Sequence, residues 1–160
     1  MEIRRTKWED LPVLLRLYES ARKFMSDSGN GSQWGTLYPD RRLLEEDISR
    51  GCSYVCENDG EIVGTFFFTV GIEPTYLNIF DGKWLNDTTY GFIHRMTTVR
   101  AKRGVASYCL DWCFRQIGNI RVDTHRNNIP MQSVLEKNGY KRCGTIYLEN
   151  GDERIAYQKV

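Results

Sequence analysis

Residues 92–113 read Phe92-Ile93-His94-Arg95-Met96-Thr97-Thr98-Val99-Arg100-Ala101-Lys102-Arg103-Gly104-Val105-Ala106-Ser107-Tyr108-Cys109-Leu110-Asp111-Trp112-Cys113. The first third is β-branched and apolar, which is the composition of a strand. The last third places apolar residues at Val105, Tyr108, Cys109, Trp112, Cys113 and onward to Phe114, which is the spacing of a helix. A short basic turn joins the two. A strand that feeds a helix this way leaves the helix's first backbone N–H groups unpaired, and with the helix dipole they attract anions. Gly104 lets a ligand approach the backbone, Ala106 keeps the first helical turn thin, and Lys102 and Arg103 add positive charge. The stretch reads as a phosphate cradle. It is not a P-loop, which needs Gly-x-x-x-x-Gly-Lys-Ser/Thr. Nor is it a dinucleotide fingerprint, which needs three spaced glycines where only Gly104 stands.

Working outward, Glu2 to Arg5 reads as a strand, and Thr6-Lys7-Trp8-Glu9 as a capping box that opens a helix. Leu11, Leu14, Leu15, Tyr18, Ala21 and Met25 recur on one face of that helix, and residues 26–31 end it. Pro39-Asp40 opens a second helix that stops at Gly51. Ser53 to Glu57 and Glu61 to Val70 form a hairpin around Asn58-Asp59-Gly60. Gly71 to Thr89 is a connection rich in turn formers, yet it carries Tyr76, Ile79, Phe80, Trp84 and Leu85, so it packs over something. Tyr90 to Thr98 is the central strand and Arg103 to Gln116 its helix. Asn119 to Asp123 is a strand, Pro130 to Lys137 a helix stopped by Asn138-Gly139, and Tyr140 to Leu148 with Arg154 to Lys159 a last hairpin. The order β-α-α-β-β-β-α-β-α-β-β predicts an α/β fold of the α+β kind. Its expected form is a mixed sheet of six to seven strands, with about four helices on both faces.

The 160 residues read as one domain, 1–160, with a composition ordinary for a globular protein. A net charge of +1 gives no basis for non-specific binding to nucleic acid or membranes. No apolar run approaches a membrane span and the first residues do not begin a signal peptide, so a cytoplasmic protein is expected. Five cysteines, an odd number without a secreted context, predict free thiols. Of the i, i+4 pairs, Cys109/Cys113 falls on the apolar face of its helix and Cys52/Cys56 has no histidine nearby, so no metal is expected.

Lys102-Arg103-Gly104-Val105-Ala106 resembles the end of the acetyl-CoA motif of the GNAT acyltransferases, Gln/Arg-x-x-Gly-x-Gly/Ala, although Ala101 occupies its first position. A second stretch, Asn128-Ile129-Pro130-Met131-Gln132-Ser133-Val134-Leu135-Glu136-Lys137-Asn138-Gly139-Tyr140, resembles the family's Asn-x-x-Ala-x-x-Leu-Tyr-Glu-Lys-x-Gly-Phe. Asn128, Glu136, Lys137 and Gly139 match in register. The element order is also that of the GNAT fold over nearly the whole chain. Gln33-Trp34, Tyr38-Pro39, Asp47-Ile48, Ile93-His94-Arg95 and Asp123-Thr124-His125 are similar to a bacterial branch of small, uncharacterised acetyltransferases.

The resemblance implies acetyl transfer from acetyl-CoA to a primary amine, with no metal. The pantetheine arm would pair with the backbone of Met96, Thr97 and Thr98, and the pyrophosphate would sit on Lys102, Arg103, Gly104, Val105, Ala106 and Ser107. Asn128 would position the arm from the other side or cap the following helix. An alkyl ammonium has a pKa near ~10, so a base must take its proton. His94, two residues before Met96 and expected on the same face, is the candidate; His125 is a second. The family's tyrosine acid falls on Leu135, which cannot donate a proton, so the acid is another residue (Tyr140, Tyr147 or Tyr108), water or absent, and none is assigned. Phe24, Trp34 and Tyr38, with Asp27 nearby, would line the acceptor side as aromatic walls for an amine, and the Tyr76 to Trp84 segment would close the other side. A homodimer is compatible with the family. Leu135 and Ala101 favour the alternative: a catalytically impaired acyl-CoA-binding sensor or partner-binding protein with the same fold.

Overall fold

The computed structural model describes all of residues 1–160. Seven strands form one mixed sheet in the order β1-β2-β3-β4-β5-β7-β6, joined by five α-helices. The strands are β1 (Glu2–Arg5), β2 (Ser53–Asn58), β3 (Glu61–Val70), β4 (Gly91–Thr98), β5 (Ile120–Thr124), β6 (Lys141–Tyr147) and β7 (Glu153–Lys159). The helices are α1 (Leu11–Asp27), α2 (Gly31–Trp34), α3 (Arg41–Ser49), α4 (Val105–Ile117) and α5 (Ile129–Lys137). Contacts divide the chain into two compact units. The first is Met1–Phe68 with Arg95–Cys109; the second is Thr69–His94 with Leu110–Val160.

In the first unit, α1 presents Leu11, Leu14 and Tyr18 to a core completed by Leu44 and Ile48 of α3 and Val55 of β2. The start of α1 differs from the expected capping box. A 3-10 turn, Trp8–Asp10, precedes the helix, and the Asp10 carboxylate accepts from the Lys7 backbone N–H at 2.7 Å. Thr6 does not cap, because its hydroxyl shares a 2.7 Å hydrogen bond with Ser53. Arg4 then joins Asp10 and Glu57 in an ion cluster. α2 is a short helical turn inside a segment read as loop from its composition. Asp40 caps α3 by accepting from Leu43 N–H at 2.9 Å. The β2–β3 hairpin turns at Asp59 and Gly60, both at positive φ (53° and 80°), as a two-residue hairpin requires.

β3 packs closely on the end of β4 and the start of α4. A Cβ on Gly64 would lie 2.9 Å from Val105 Cγ1 and 3.4 Å from the Thr97 carbonyl, so only glycine fits. α4 begins at Val105 rather than Arg103: Gly104 has φ +80° and belongs to the turn.

In the second unit, β4 pairs parallel with β5 at Gly91 and Phe92, and β5 pairs antiparallel with β7 over its full length. Tyr76, Tyr157, Leu110, Ile120, Leu135, Ile146 and Gln158 are its largest fully buried side chains. The long connection before β4 is tied down. Phe80 and Thr145 exchange both backbone hydrogen bonds, at 2.8 and 2.7 Å, and Lys83 N–H donates to Cys143 at 3.0 Å. All five cysteines are buried free thiols. No helix is long and apolar enough to cross a membrane.

The Gly64 contact generates a prediction. Gly64→Ala should destabilise the protein by roughly 1–3 kcal/mol, the usual cost of forcing an extra methyl into a packed region, and thermal unfolding should register a fall of several degrees. An unchanged melting temperature would show that Val105 yields freely and that this approach is not tight.

Candidate active site

Arg95 interrupts β4. Its φ of 55° lies in the left-handed region, which a non-glycine residue enters at a cost of about 1–3 kcal/mol. The chain around it meets that cost. The Tyr18 hydroxyl donates to the Arg95 carbonyl at 2.6 Å. The guanidinium donates through Nε and Nη2 to both oxygens of Asp47, at 3.0 and 2.9 Å, and through Nη1 to the Tyr38 hydroxyl at 2.9 Å. It also lies 4.9 Å from the centre of the Phe67 ring. The Arg95 and Asp47 side chains are only 8% and 5% exposed, so the pair is desolvated and bidentate, the strong form of an ion pair. Burial pushes the Tyr18 phenol up, which keeps it a donor.

Arg95 at positive φ interrupts the regular alternation of β4 between His94 and Met96. The period of two does not carry across a residue in the left-handed region. Met96 and Thr97 are buried and Thr98 half-buried. Beyond them Val99 N–H donates to Val63 and Lys102 N–H to Val99, which closes the turn. Lys102, Arg103 and Gly104 are exposed, Val105 is buried, and Ala106 and Ser107 are half-buried. A Cβ on Gly104 would meet nothing within 4 Å. Glycine is required there by its φ and not by crowding. The turn lies open at the N-terminus of α4, as an anion cradle must.

The three expected acceptor-side aromatics separate into two groups. Trp34 packs between Tyr18 and Tyr38, with centroids at 5.7 and 6.2 Å, and Tyr38 is tied to Arg95. Phe24 is apart from them, and the Arg100 guanidinium lies 3.5 Å over its ring, so that face already holds a cation. Asp27 is exposed at the end of α1.

In the second unit His94 stands against Glu73, with Nε2 3.6 Å from Oε2. Phe92 and Tyr76 wall the imidazole edge-on at 5.2 and 6.4 Å. Glu73 is itself held: its backbone N–H donates to the Tyr90 hydroxyl at 2.9 Å, and Thr75 Oγ1 donates to its Oε1 at 2.9 Å. Burial raises the Glu73 carboxyl, but His94 and Thr75 more than offset this and hold it below the ordinary carboxylate range. Tyr76 donates to Asp123 at 2.6 Å and, being buried beside that carboxylate, titrates well above an ordinary phenol. Glu73 carries no motif. Only its place in the connection before β4, followed by Pro74 and Thr75, brings it to His94.

His125 accepts from Asn127 N–H through Nδ1 at 3.0 Å, and burial with the charges of Arg154 and Arg126 holds its imidazole below the usual value. Asn128 caps α5, accepting from Met131 N–H at 3.2 Å. Leu135 is fully buried. Tyr140 is buried, and desolvation pushes its phenol up. Tyr108 donates to the Met1 carbonyl at 2.6 Å. No group of three His, Cys, Asp or Glu side chains is placed to hold a metal ion.

No protein-family model matches the chain, and no curated protein matches it. Solved structures do. An acetyltransferase of the GNAT family from Streptococcus agalactiae 2603 is 31% identical, with a TM-score of 0.88 over 99% of this chain and 94% of its own. A Staphylococcus aureus Mu50 protein assigned as an acetyltransferase is 25% identical, with a TM-score of 0.73 over 99% of this chain and 98% of its own. AAC(6')-Ib, solved in complex with ribostamycin and coenzyme A, shares the fold at 17% identity, with a TM-score of 0.66 over 99% of this chain and 92% of its own.

The Glu73–His94 pair predicts a pH signature. A carboxyl whose folded pKa is depressed adds stability that is present above its unfolded value, near ~4.3, and is lost as pH falls through the folded value. Wild type should therefore melt about 1–4 °C above Glu73→Gln at neutral pH, and the gap should close at acid pH. A gap that persists unchanged to pH 3 would mean that the carboxylate gains nothing from His94.

Proposed function

Because this chain belongs to the GNAT family of acetyltransferases, we propose that it moves the acetyl group of acetyl-CoA to the primary amine of a small molecule by direct attack in a ternary complex. The reading takes residues 1–160 as one catalytic domain. The observation that carries it is β4 itself: this strand bears His94, backed by Glu73, and runs on into the open basic turn at Gly104. AAC(6')-Ib, which shares the fold, has been solved with coenzyme A and with acetyl-CoA.

The residues fit such a donor. The backbone of Met96, Thr97 and Thr98 pairs with the pantetheine amides. The N–H groups of Gly104, Val105, Ala106 and Ser107, with the α4 dipole and the charges of Lys102 and Arg103, hold the pyrophosphate. Asn128 caps α5 through its side-chain oxygen, and its amide N–H groups would position the pantetheine arm from the other side.

Acetyl-CoA supplies the acyl group as a thioester. The amine arrives as an ammonium and gives one proton to His94, directly or through water. Glu73, 3.6 Å away, stabilises the imidazolium that forms. The neutral nitrogen bonds to the carbonyl carbon as the carbon–sulfur bond breaks. The nitrogen sheds a second proton, the sulfur takes one up, and the products are the acetamide, the CoA thiol and a proton returned to water. The chain contributes no assigned acid: Leu135 is buried at the family's tyrosine position and Tyr108 is engaged with Met1. A thiol of pKa near ~8.5 leaves without one. Trp34 and Tyr38, with Phe24, form an acceptor-side wall in this proposal, the amine displacing Arg100 from the Phe24 ring. Leu135 favours one second reading, an acyl-CoA-binding sensor, and steady release of CoA thiol in the presence of amines separates the two.

Two variants test the reading. Gly104→Asp should weaken acetyl-CoA binding at least roughly tenfold by calorimetry, while Gly104→Asn, which tolerates positive φ and adds no charge, should bind nearly as wild type. Equal affinity in Gly104→Asp would remove the donor from this turn. His94→Gln should retain acetyl-CoA binding and lose about 10²–10⁴ in rate at neutral pH, with the deficit shrinking as pH rises and the acceptor loses its own proton. A normal rate, or a loss independent of pH, would make His94 structural.

A further inference from the structure

We infer that the cavity beside Glu73 receives the acceptor, and that the acceptor is a small organic cation: a primary amine on an apolar body, without a carboxylate. This rests on the acetyltransferase reading and names its substrate class. The cavity holds about 360 Å³ and is lined by Pro74, Thr75, Asn78, Phe80, Tyr147 and Glu149. That volume suits a small molecule, at the lower end of the range of ligand pockets.

The lining determines the chemistry. Phe80 and Tyr147 meet edge-on at 5.5 Å and remain 50% and 43% exposed, so their rings are available to a ligand. Glu149 adds a carboxylate that no residue of the chain pairs with, and no lysine or arginine lines the cavity. Aromatic faces and an uncompensated carboxylate attract a cation and an apolar body, and they offer a ligand carboxylate no partner. A zwitterionic amino acid is therefore disfavoured against the amine of the same skeleton.

One hydrogen bond links the cavity wall to the carboxylate that faces the proposed base. Thr75, part of its wall, donates to Glu73 at 2.9 Å, and the other oxygen of Glu73 lies 3.6 Å from His94. The backbone behind its walls is held in place. Phe80 is bridged to Thr145, Trp84 Nε1–H donates to Tyr76 at 2.9 Å, and a Cβ on Gly82 would fall 1.9 Å from the Cys143 carbonyl, an approach only glycine permits. A site already ordered loses little to immobilisation when it binds.

The test is the matched pair phenethylamine and phenylalanine, which differ by the carboxylate alone, measured on the full chain by calorimetry with CoA present and by release of CoA thiol from acetyl-CoA. Phenethylamine should bind about tenfold more tightly than phenylalanine, and Glu149→Gln or Tyr147→Leu should weaken it roughly three- to tenfold while leaving CoA affinity unchanged. Both side chains are exposed, so the variants should fold. Thiol release with amines that is indifferent to both substitutions, or a preference for phenylalanine, would overturn the assignment and leave the acetyltransferase reading standing. If neither these two nor a panel of other primary amines supports thiol release, the acetyltransferase reading fails; the binding arm then still judges the cavity. Phenethylamine binding that is lost in Glu149→Gln supports a cation site, and no binding refutes it.

Discussion

Arg95 is held in a left-handed conformation in the middle of β4, and the local geometry of this strand depends on what holds it there. Nothing about arginine favours a φ of 55°. The conformation is imposed by Asp47 from α3, Tyr18 from α1 and Tyr38, which engage its side chain and its carbonyl together. Removing Asp47 would leave a buried guanidinium unpaired, which costs more than the pair itself contributes. Helices α1 and α3 thus act on β4 through polar contacts, and pack with β2 through an apolar core. Strained backbone of this kind is retained where a strand must change direction or present its backbone groups. Here it separates the residue that faces Glu73 from the residues that run into the Gly104 turn.

The second constraint is the long connection between β3 and β4. It has little regular structure, yet it carries Glu73 and Tyr76 and is stitched to β6 by a backbone bridge and by glycines that tolerate close approach. A carboxylate placed by such a segment can orient a histidine as firmly as one placed by a helix. The two acidic groups that matter do different work. Asp47 fixes a permanent cation, and Glu73 faces a side chain that can gain and lose a proton.

Much of the fold was legible in the chain because local signals and tertiary structure agree. Asp59-Gly60 makes the hairpin turn that its residues favour, Asn138-Gly139 stops α5, and the apolar period of α4 points Cys109 and Cys113 into the interior, where both are fully buried. The misreadings have physical causes. Thr6 matched a capping pattern, but its hydroxyl is claimed by Ser53, far away in sequence. The kink at Arg95 has no sequence signature, since glycine or asparagine would have announced it and arginine does not. Glu73 could not be found from spacing, because its approach to His94 depends on the path of an irregular segment.

In the proposed enzyme, β4 and the turn after it receive the acyl donor while His94, earlier on the same strand, receives the proton. A crystal structure of the protein grown with acetyl-CoA tests this most directly. It should show the pantetheine amides paired with the backbone of Met96 to Thr98, the pyrophosphate on the N–H groups of residues 104–107, and Arg95 still in its left-handed conformation against Asp47. Acetyl-CoA bound elsewhere, or bound with its pyrophosphate away from the Gly104 turn, would contradict the account.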